Sequence, residues 1–195
     1  MKILLIAGSP QAGARSTQVL QHIQQSLEHN GFDVDWLVLA DLPAAALIHQ
    51  RRDNAEIARA LAAVENADGV VVAGPIYKAA PAGLIKVFLD LLPQQALSGK
   101  VLLPLATAGG AAHFLALDYS LRPVLGALGA VSIVPGLYIQ DGQISFSQSG
   151  SLQFDAATQR RVEASLAQFL AFLASTESFR QSVLRPAAAR MSVVN

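Results

Sequence analysis

From Ile3 to Ala7 the chain is continuously apolar, and the run stops at Gly8-Ser9-Pro10. A run this short, apolar on both faces and closed by turn residues, predicts a strand covered on both sides. The period then changes. Over Ser16 to His29 the apolar positions Val19, Leu20, Ile23 and Leu27 share one helical face, and Asn30-Gly31 supplies a stop. Phe32 to Leu39 alternates through Val34, Trp36 and Val38, a strand more exposed on one side, and Asn54 to Asn66 is a second helix ended by Asp68-Gly69. Gly69 to Gly74 (Gly-Val-Val-Val-Ala-Gly) is the clearest strand, and it runs into Pro75-Ile76-Tyr77-Lys78. A helix over Pro81 to Leu92 follows, with Pro81 in its first turn. The pattern continues as a strand over Val101 to Ala106, a helix over Ala112 to Leu128 and a strand over Val131 to Tyr138. After a polar stretch rich in Gly, Ser and Gln, the last long helix is expected over Asp155 to Ala174. From Arg180 onward no apolar period is evident.

Alternation of apolar strands with amphipathic helices predicts a parallel sheet with helices on both faces. Right-handed crossovers leave few topologies. Five strands favour an α/β, flavodoxin-like doubly wound sheet in the order 2-1-3-4-5. The expected organisation is one domain over residues 1–178 and a C-terminal tail, 179–195, with no assigned role.

Composition narrows the function classes. The 195 residues carry 14 Lys+Arg and 14 Asp+Glu, a formal net charge of zero, and the cations are scattered. Nucleic-acid binding needs a basic face to displace counterions, so no nucleic-acid partner is expected. Cysteine is absent, which excludes disulfides, thiolate metal sites and a cysteine nucleophile. No run approaches the length of a membrane span and the first apolar run is too short for a signal-peptide core, so a cytoplasmic location and no membrane partner are expected.

In open α/β sheets ligands bind beyond the carboxyl ends of the strands, where strand order reverses. Three loops lie there. The first, Gly8 to Thr17, brings Ser9, Ser16 and Thr17 hydroxyls, the Arg15 cation and backbone N–H groups to a helix start, the chemistry of a phosphate cradle. It lacks the Gly-Lys-Ser/Thr of a P-loop and the glycine spacing of the dinucleotide fingerprint. Ser16 acting only as a helix cap is the plainer alternative. The second loop, Pro75, Ile76, Tyr77 and Lys78, offers backbone groups and a ring to a flat ligand, or else Tyr77 is an ordinary half-buried aromatic and Lys78 a solvated charge. The third, Thr107, Ala108, Gly109 and Gly110, lets backbone approach a ligand closely, or is a simple connection. Together at one sheet end, the three describe a site for a phosphorylated planar ring.

No Ser-His-Asp order, G-x-S-x-G elbow or metal-ligand spacing of the four histidines appears; His22 and His29 read as one solvated helix face, and His113 as a surface or capping residue near the pocket. Such a site, with no catalytic side chain assigned, suits chemistry carried by a cofactor.

Gly8-Ser9-Pro10 with Arg15-Ser16, Pro75 to Ala80, Asp90-Leu91-Leu92-Pro93 and Leu103 to Thr107 resemble the NADPH-dependent FMN reductases, and most closely the sulfonate-utilisation type that partners an alkanesulfonate monooxygenase. The likeness runs from residue 1 to about residue 140. It implies FMN phosphate on Ser9, Arg15, Ser16 and Thr17, flavin-ring contacts from Pro75–Lys78 and Thr107–Gly110, and NADPH as reductant. It further implies that reduced FMN leaves for a separate flavin-dependent monooxygenase. In that family a tyrosine in the fourth helix produces a π-bulge at the subunit interface, and Tyr119 is the matching position. Two departures stand out: Ala108 where glycine is frequent, and Pro81 where a larger polar residue often follows the Ala-Ala pair.

The expected reaction is hydride transfer from nicotinamide to FMN, with rate arising mainly from positioning of the two rings. The alternatives are an FMN-retaining quinone or azo reductase and a flavodoxin-type electron carrier, the latter disfavoured by zero net charge. The helix over Ala112 to Leu128 is apolar on most sides, more than one sheet-facing stripe requires, so a homodimer or homotetramer is expected.

Overall fold

A computed structural model describes residues 1–184. Strands β1 (Lys2–Ala7), β2 (Asp33–Val38), β3 (Gly69–Tyr77), β4 (Ala80–Pro81), β5 (Val101–Ala108), β6 (Ser132–Ile133) and β7 (Leu137–Gln140) form one sheet. Its path runs β2-β1-β3-β5-β6, with β7 also on β5 and β4 on β3. All pairings are parallel except the short β3–β4 pair. Helices α1 (Arg15–His29), α2 (Ala44–Ile48), α3 (Ala55–Asn66), α4 (Gly83–Leu89), α5 (Arg122–Ala127) and α6 (Ala156–Leu184) cover the sheet, and a hairpin of β8 (Ile144–Phe146) and β9 (Leu152–Phe154) precedes α6.

The strand pleat divides the apolar residues between two cores. On one face Ile3, Leu5 and Ala7 of β1 and Val71 and Ala73 of β3 pack with Val19, Leu20, Ile23 and Leu27 of α1 and Phe169 and Leu173 of α6. On the other, Leu4, Ile6, Val70 and Val72 meet Ile57, Ala60 and Val64 of α3 and Ile85 and Phe88 of α4. Both faces being covered explains why the strands read as unbroken apolar runs.

The flavodoxin-like class is as expected, but the sheet is not five uninterrupted parallel strands. The fifth strand, expected over Val131 to Tyr138, is split into β6 and β7, both paired to β5. Pro135, which has no N–H to give the ladder, lies in the gap, and the Arg122 guanidinium donates to the carbonyl of Ile133 at 2.9 Å. Pro81 belongs to β4, opposite Ile76, and α4 starts only at Gly83. That helix ends at Leu89, after which Leu91 and Leu92 N–H groups turn back three residues to Phe88 and Leu89.

The single helix expected over Ala112 to Leu128 is three pieces: a 3₁₀ turn Ala111–His113, a π-helical turn Leu117–Leu121 with Tyr119 at its centre, where the family resemblance implies a π-bulge, and α5. Pro123, in the first turn of α5, has no N–H for the carbonyl four residues back, so a regular α ladder cannot pass through it. The last helix extends ten residues past Ala174, crossing the boundary drawn at residue 179. No glycine or proline interrupts Ser175 to Leu184. The remainder of the expected tail, residues 185–195, lies outside the described residues.

Candidate cofactor site

The register of three central strands sets the site. Ala7 of β1 pairs with Ala73 of β3, and Pro75 of β3 pairs with Thr107 of β5, so all three loops leave the sheet at one end. Strand order reverses there, with β2 and β3 on opposite sides of β1. A cleft of about 430 Å³ opens at this point. Its walls are the first loop from Gln11 to Arg15 with Gln18, the second loop from Pro75 to Tyr77, Thr107 to Gly109, and Asp141 and Phe146.

The first loop is shaped by its own side chains. The Ser9 hydroxyl, almost wholly buried, accepts the Gln11 N–H at 3.1 Å. Gly13 turns the chain at φ +68°, and the Gln18 amide donates to the Gly13 carbonyl at 3.1 Å. No side chain caps α1: its N-cap is Ala14, its first turn has no acid, and the first helical bond runs from Gln18 N–H to Ala14 C=O. The Ser16 Oγ is buried without a partner, so Ser16 is not the cap that the plainer sequence reading allowed. An uncapped helix start beside an orphaned hydroxyl is a neighbourhood that an anion completes. The residues fit a phosphate.

Among the described residues the only charged side chains lining the cleft are Arg15 and Asp141, and they are paired at 3.1 Å. Arg15 is therefore held by a carboxylate that sequence reasoning missed. Asp141 lies in the segment leaving β7, which has a polar composition that reads as a connector. Phe146 of β8 was missed for the same reason.

The second and third loops are held firmly. Between β3 and β4, Lys78 and Ala79 both adopt positive φ, 51° and 65°, which costs a non-glycine residue about 1–2 kcal/mol each. This tight turn lifts Lys78 out of the cleft lining, whereas Pro75, Ile76 and Tyr77 remain in it. In the third loop Thr107 and Ala108 are buried and Gly109 lines the cleft. Gly110 does not line it; its carbonyl accepts a short hydrogen bond from the Tyr138 hydroxyl of β7. Burial pushes the Tyr138 phenol up from its ordinary pKa, so it stays a donor. Thr17 is half-buried behind the first loop, and Tyr119, at the middle of the π-helical turn, is 79% exposed away from the cleft.

Of the three histidines singled out, His22 differs from expectation. His29 is exposed, but His22 is half-buried with its ring edge-on to Phe154, 5.2 Å between centroids. His113 is exposed and does not line the cleft. Among the described residues no group of His, Cys, Asp and Glu is arranged to hold a metal ion.

A doubly wound sheet with an uncapped helix start and a flat cleft at its switch point defines a flavodoxin-like, nucleotide-cofactor enzyme fold. Residues 1–143 match the family model for NADPH-dependent FMN reductase. An FMN reductase (NADPH) of Escherichia coli K12 is 40% identical over 172 residues, covering 87% of this chain and 88% of that protein. The NADH-dependent FMN reductase SfnF of Pseudomonas putida is 32% identical over 142 residues, 71% of this chain and 76% of that protein. Among solved structures, the apo form of the NADH:FMN oxidoreductase EMOB superposes with a TM-score of 0.77 at 37% identity, covering 86% of this chain and 87% of that one. The chain belongs to the NADPH-dependent FMN reductase family. It is thus an NAD(P)H-dependent flavin reductase with FMN and NADPH as its cofactors.

Proposed function

We propose that the chain handles FMN as an exchangeable substrate and releases the reduced flavin to a separate flavin-dependent monooxygenase that desulfonates organosulfonates. The observation that carries the exchange is the phosphate end of the cleft. Arg15, the one cation lining it among the described residues, is already paired with Asp141, and Tyr77 and Phe146 at the cleft stay 43% and 46% exposed. A site built this way orients a flavin without enclosing it. The sulfonate assignment is supported by the sequence resemblance over the first, second and third loops.

When bound, the two cofactors supply the chemistry, a hydride passing from nicotinamide to flavin. The chain's residues bind and orient. Ser16 Oγ and the N–H groups at the start of α1 hold the phosphate, with Arg15 reaching it when it leaves Asp141. Pro75, Ile76, Tyr77 and Thr107 to Gly109 frame the ring, and Ser9 shapes the loop. Lys78, exposed on its turn, and the half-buried Thr17 stand outside this lining. Holding two rings face to face converts an encounter into an intramolecular step.

The subunits assemble as a homodimer or homotetramer through Phe114, Leu115 and Tyr119, which are 56%, 44% and 79% exposed around the π-helical turn. No described helix is long and apolar enough to cross a membrane.

The test is to purify the protein, record its visible spectrum and follow NADPH oxidation with and without FMN. A nearly colourless protein whose NADPH oxidation depends on added FMN is expected, and Arg15→Ala should weaken FMN several-fold while leaving riboflavin, which has no phosphate, unmoved. A yellow protein that needs a quinone or azo dye as acceptor would refute release of reduced flavin.

A further inference from the structure

The solvent side of α1 carries a second, unused cavity. Gln18, Gln21, His22 and Gln25 stand at spacings that place them on one helical face. The β8–β9 hairpin faces them with Phe146 and Leu152, and the two elements enclose a groove of about 260 Å³. Gln18 and Phe146 line both this groove and the flavin cleft, so the two are contiguous. A helix face that met only water would have no opposing wall.

The lining is distinctive in its chemistry. Three carboxamides and one imidazole face the space, and among the described residues no Lys, Arg, Asp or Glu lines it. Burial holds the His22 imidazole below its usual pKa, although Glu163 pulls the other way, so it is neutral near pH 7. The groove therefore does not suit a phosphate. It suits a neutral, planar, hydrogen-bonding group: a carboxamide presents a donor and an acceptor side by side, which match the edge of adenine. The exposed Phe146 ring supplies a face on which a purine stacks.

We infer that this groove is an adenosine subsite, taking the adenosine half of a dinucleotide whose other half occupies the flavin cleft, with adenine on Phe146 and its edge read by Gln21 and Gln25. The inference rests on the flavin reading of the cleft. A volume of about 260 Å³ lies below the range of pockets that hold a whole drug-sized ligand, which fits one half of a larger molecule. Two sources carry the same group, NADPH and FAD, while FMN carries none. With no cation among the described residues that line the groove, the extra phosphate of NADPH is not read there, so NADPH and NADH are treated alike at this point.

The experiment is isothermal titration calorimetry of the flavin-free protein with FMN, FAD, NADPH, NADH and reduced nicotinamide mononucleotide. Wild type is compared with the double variant Gln21→Leu/Gln25→Leu, at positions exposed and outside the flavin cleft. Loss of the paired amide bonds should raise the Kd of the dinucleotide concerned about tenfold, the equivalent of about 1.4 kcal/mol. FMN and the nicotinamide mononucleotide, lacking adenosine, should not move. Weakened FAD binding assigns the groove to the flavin dinucleotide; NADPH and NADH weakened by one common factor assign it to the reductant. Unmoved dinucleotides, or mononucleotides weakened equally, overturn the subsite while normal FMN binding leaves the flavin reading intact. Failure of the wild-type protein to bind FMN would overturn that reading, and the groove assignment with it.

Discussion

Replacing Gly8 by alanine tests how the first loop is seated. Gly8 follows β1, donates its N–H to the Ala73 carbonyl at 2.7 Å, and lies under Ile85 of α4. A Cβ there would stand 2.1 Å from Ile85 Cγ1 and 2.7 Å from Cδ1, where ordinary carbon contacts need about 3.5–4.0 Å. Ile85 is buried and Cγ1 is near its root, so the clash is relieved only by moving α4 or the loop. Gly8→Ala should cost about 1–3 kcal/mol, the usual range for overpacking. Ile85→Ala alone should cost about 2–5 kcal/mol through the cavity it leaves. In Gly8→Ala/Ile85→Ala the new methyl enters that space, so the double variant should cost at least about 1 kcal/mol less than the two singles together. Gly74→Ala supplies an internal control, because its Cβ would meet Ile85 Cδ1 at 2.6 Å but Cγ1 only at 3.6 Å. Ile85→Val, which removes Cδ1 and keeps Cγ1, should therefore relieve Gly74→Ala and not Gly8→Ala. Urea melts with unchanged m values measure all of these. Additivity within about 0.5 kcal/mol for the Gly8→Ala/Ile85→Ala pair would refute the packing argument.

Three further outcomes follow from the cleft and the groove. Asp141→Asn removes a carboxylate from the phosphate end and frees Arg15, a half-exposed pair worth at most about 1 kcal/mol; FMN should bind up to about fivefold tighter by fluorescence titration and riboflavin equally well, whereas weaker FMN binding would contradict the placement of the phosphate. Tyr138→Phe deletes the hydrogen bond to the Gly110 carbonyl and should cost about 0.5–1.5 kcal/mol in urea melts while raising the FMN Kd; unchanged values of both would show that the third loop holds itself. His22, held below its ordinary 6.5 mainly by burial, takes up a proton in the unfolded chain first as pH falls, so its contribution to stability is complete above about pH 6.5 and is lost on acidification toward the folded pKa; a melting curve for His22→Gln as steep over that range as wild type would remove His22 as the cause.

What the hydrophobic pattern reveals about this fold depends on whether a segment keeps one period. β1, α1, α3 and the starts of β3 and β5 do, and each lies within a residue or so of where the pattern places it. Where proline intervenes the pattern stays apolar while the backbone changes. Pro123 divides a continuous apolar run into π and α turns, and Pro135 divides the last parallel strand, because a missing N–H interrupts a ladder that side-chain hydropathy cannot register. The β8–β9 hairpin fails for the opposite reason. Ile144, Phe146, Leu152 and Phe154 alternate properly, but each strand has three residues and is set among Ser, Gln and Gly, too brief a signal to separate from a loop. The short helix α2, five residues of Ala, Leu and Ile, was missed on the same ground.

The site divides along the same line. Loops that leave adjacent parallel strands must converge, so strand order alone brings Arg15, Pro75 to Tyr77 and Thr107 to Gly109 together. Which residues within a loop face inward is a matter of backbone dihedrals and of distant partners. Consecutive positive φ values turn Lys78 away, and the Tyr138 hydroxyl ties the Gly110 carbonyl outside the lining. Asp141 meets Arg15 across 126 positions, and no local pattern marks that pairing. His22 shows how far this reaches: on its own helix it belongs to a polar face, and only the arrival of Phe154 from the hairpin makes it part of a wall. Residues added to the site by the segment after β7 therefore convert a cleft that the sheet topology dictates into one with a charge balance and a neighbouring groove particular to this chain, and it is in those residues that its choice of flavin and nicotinamide should be sought.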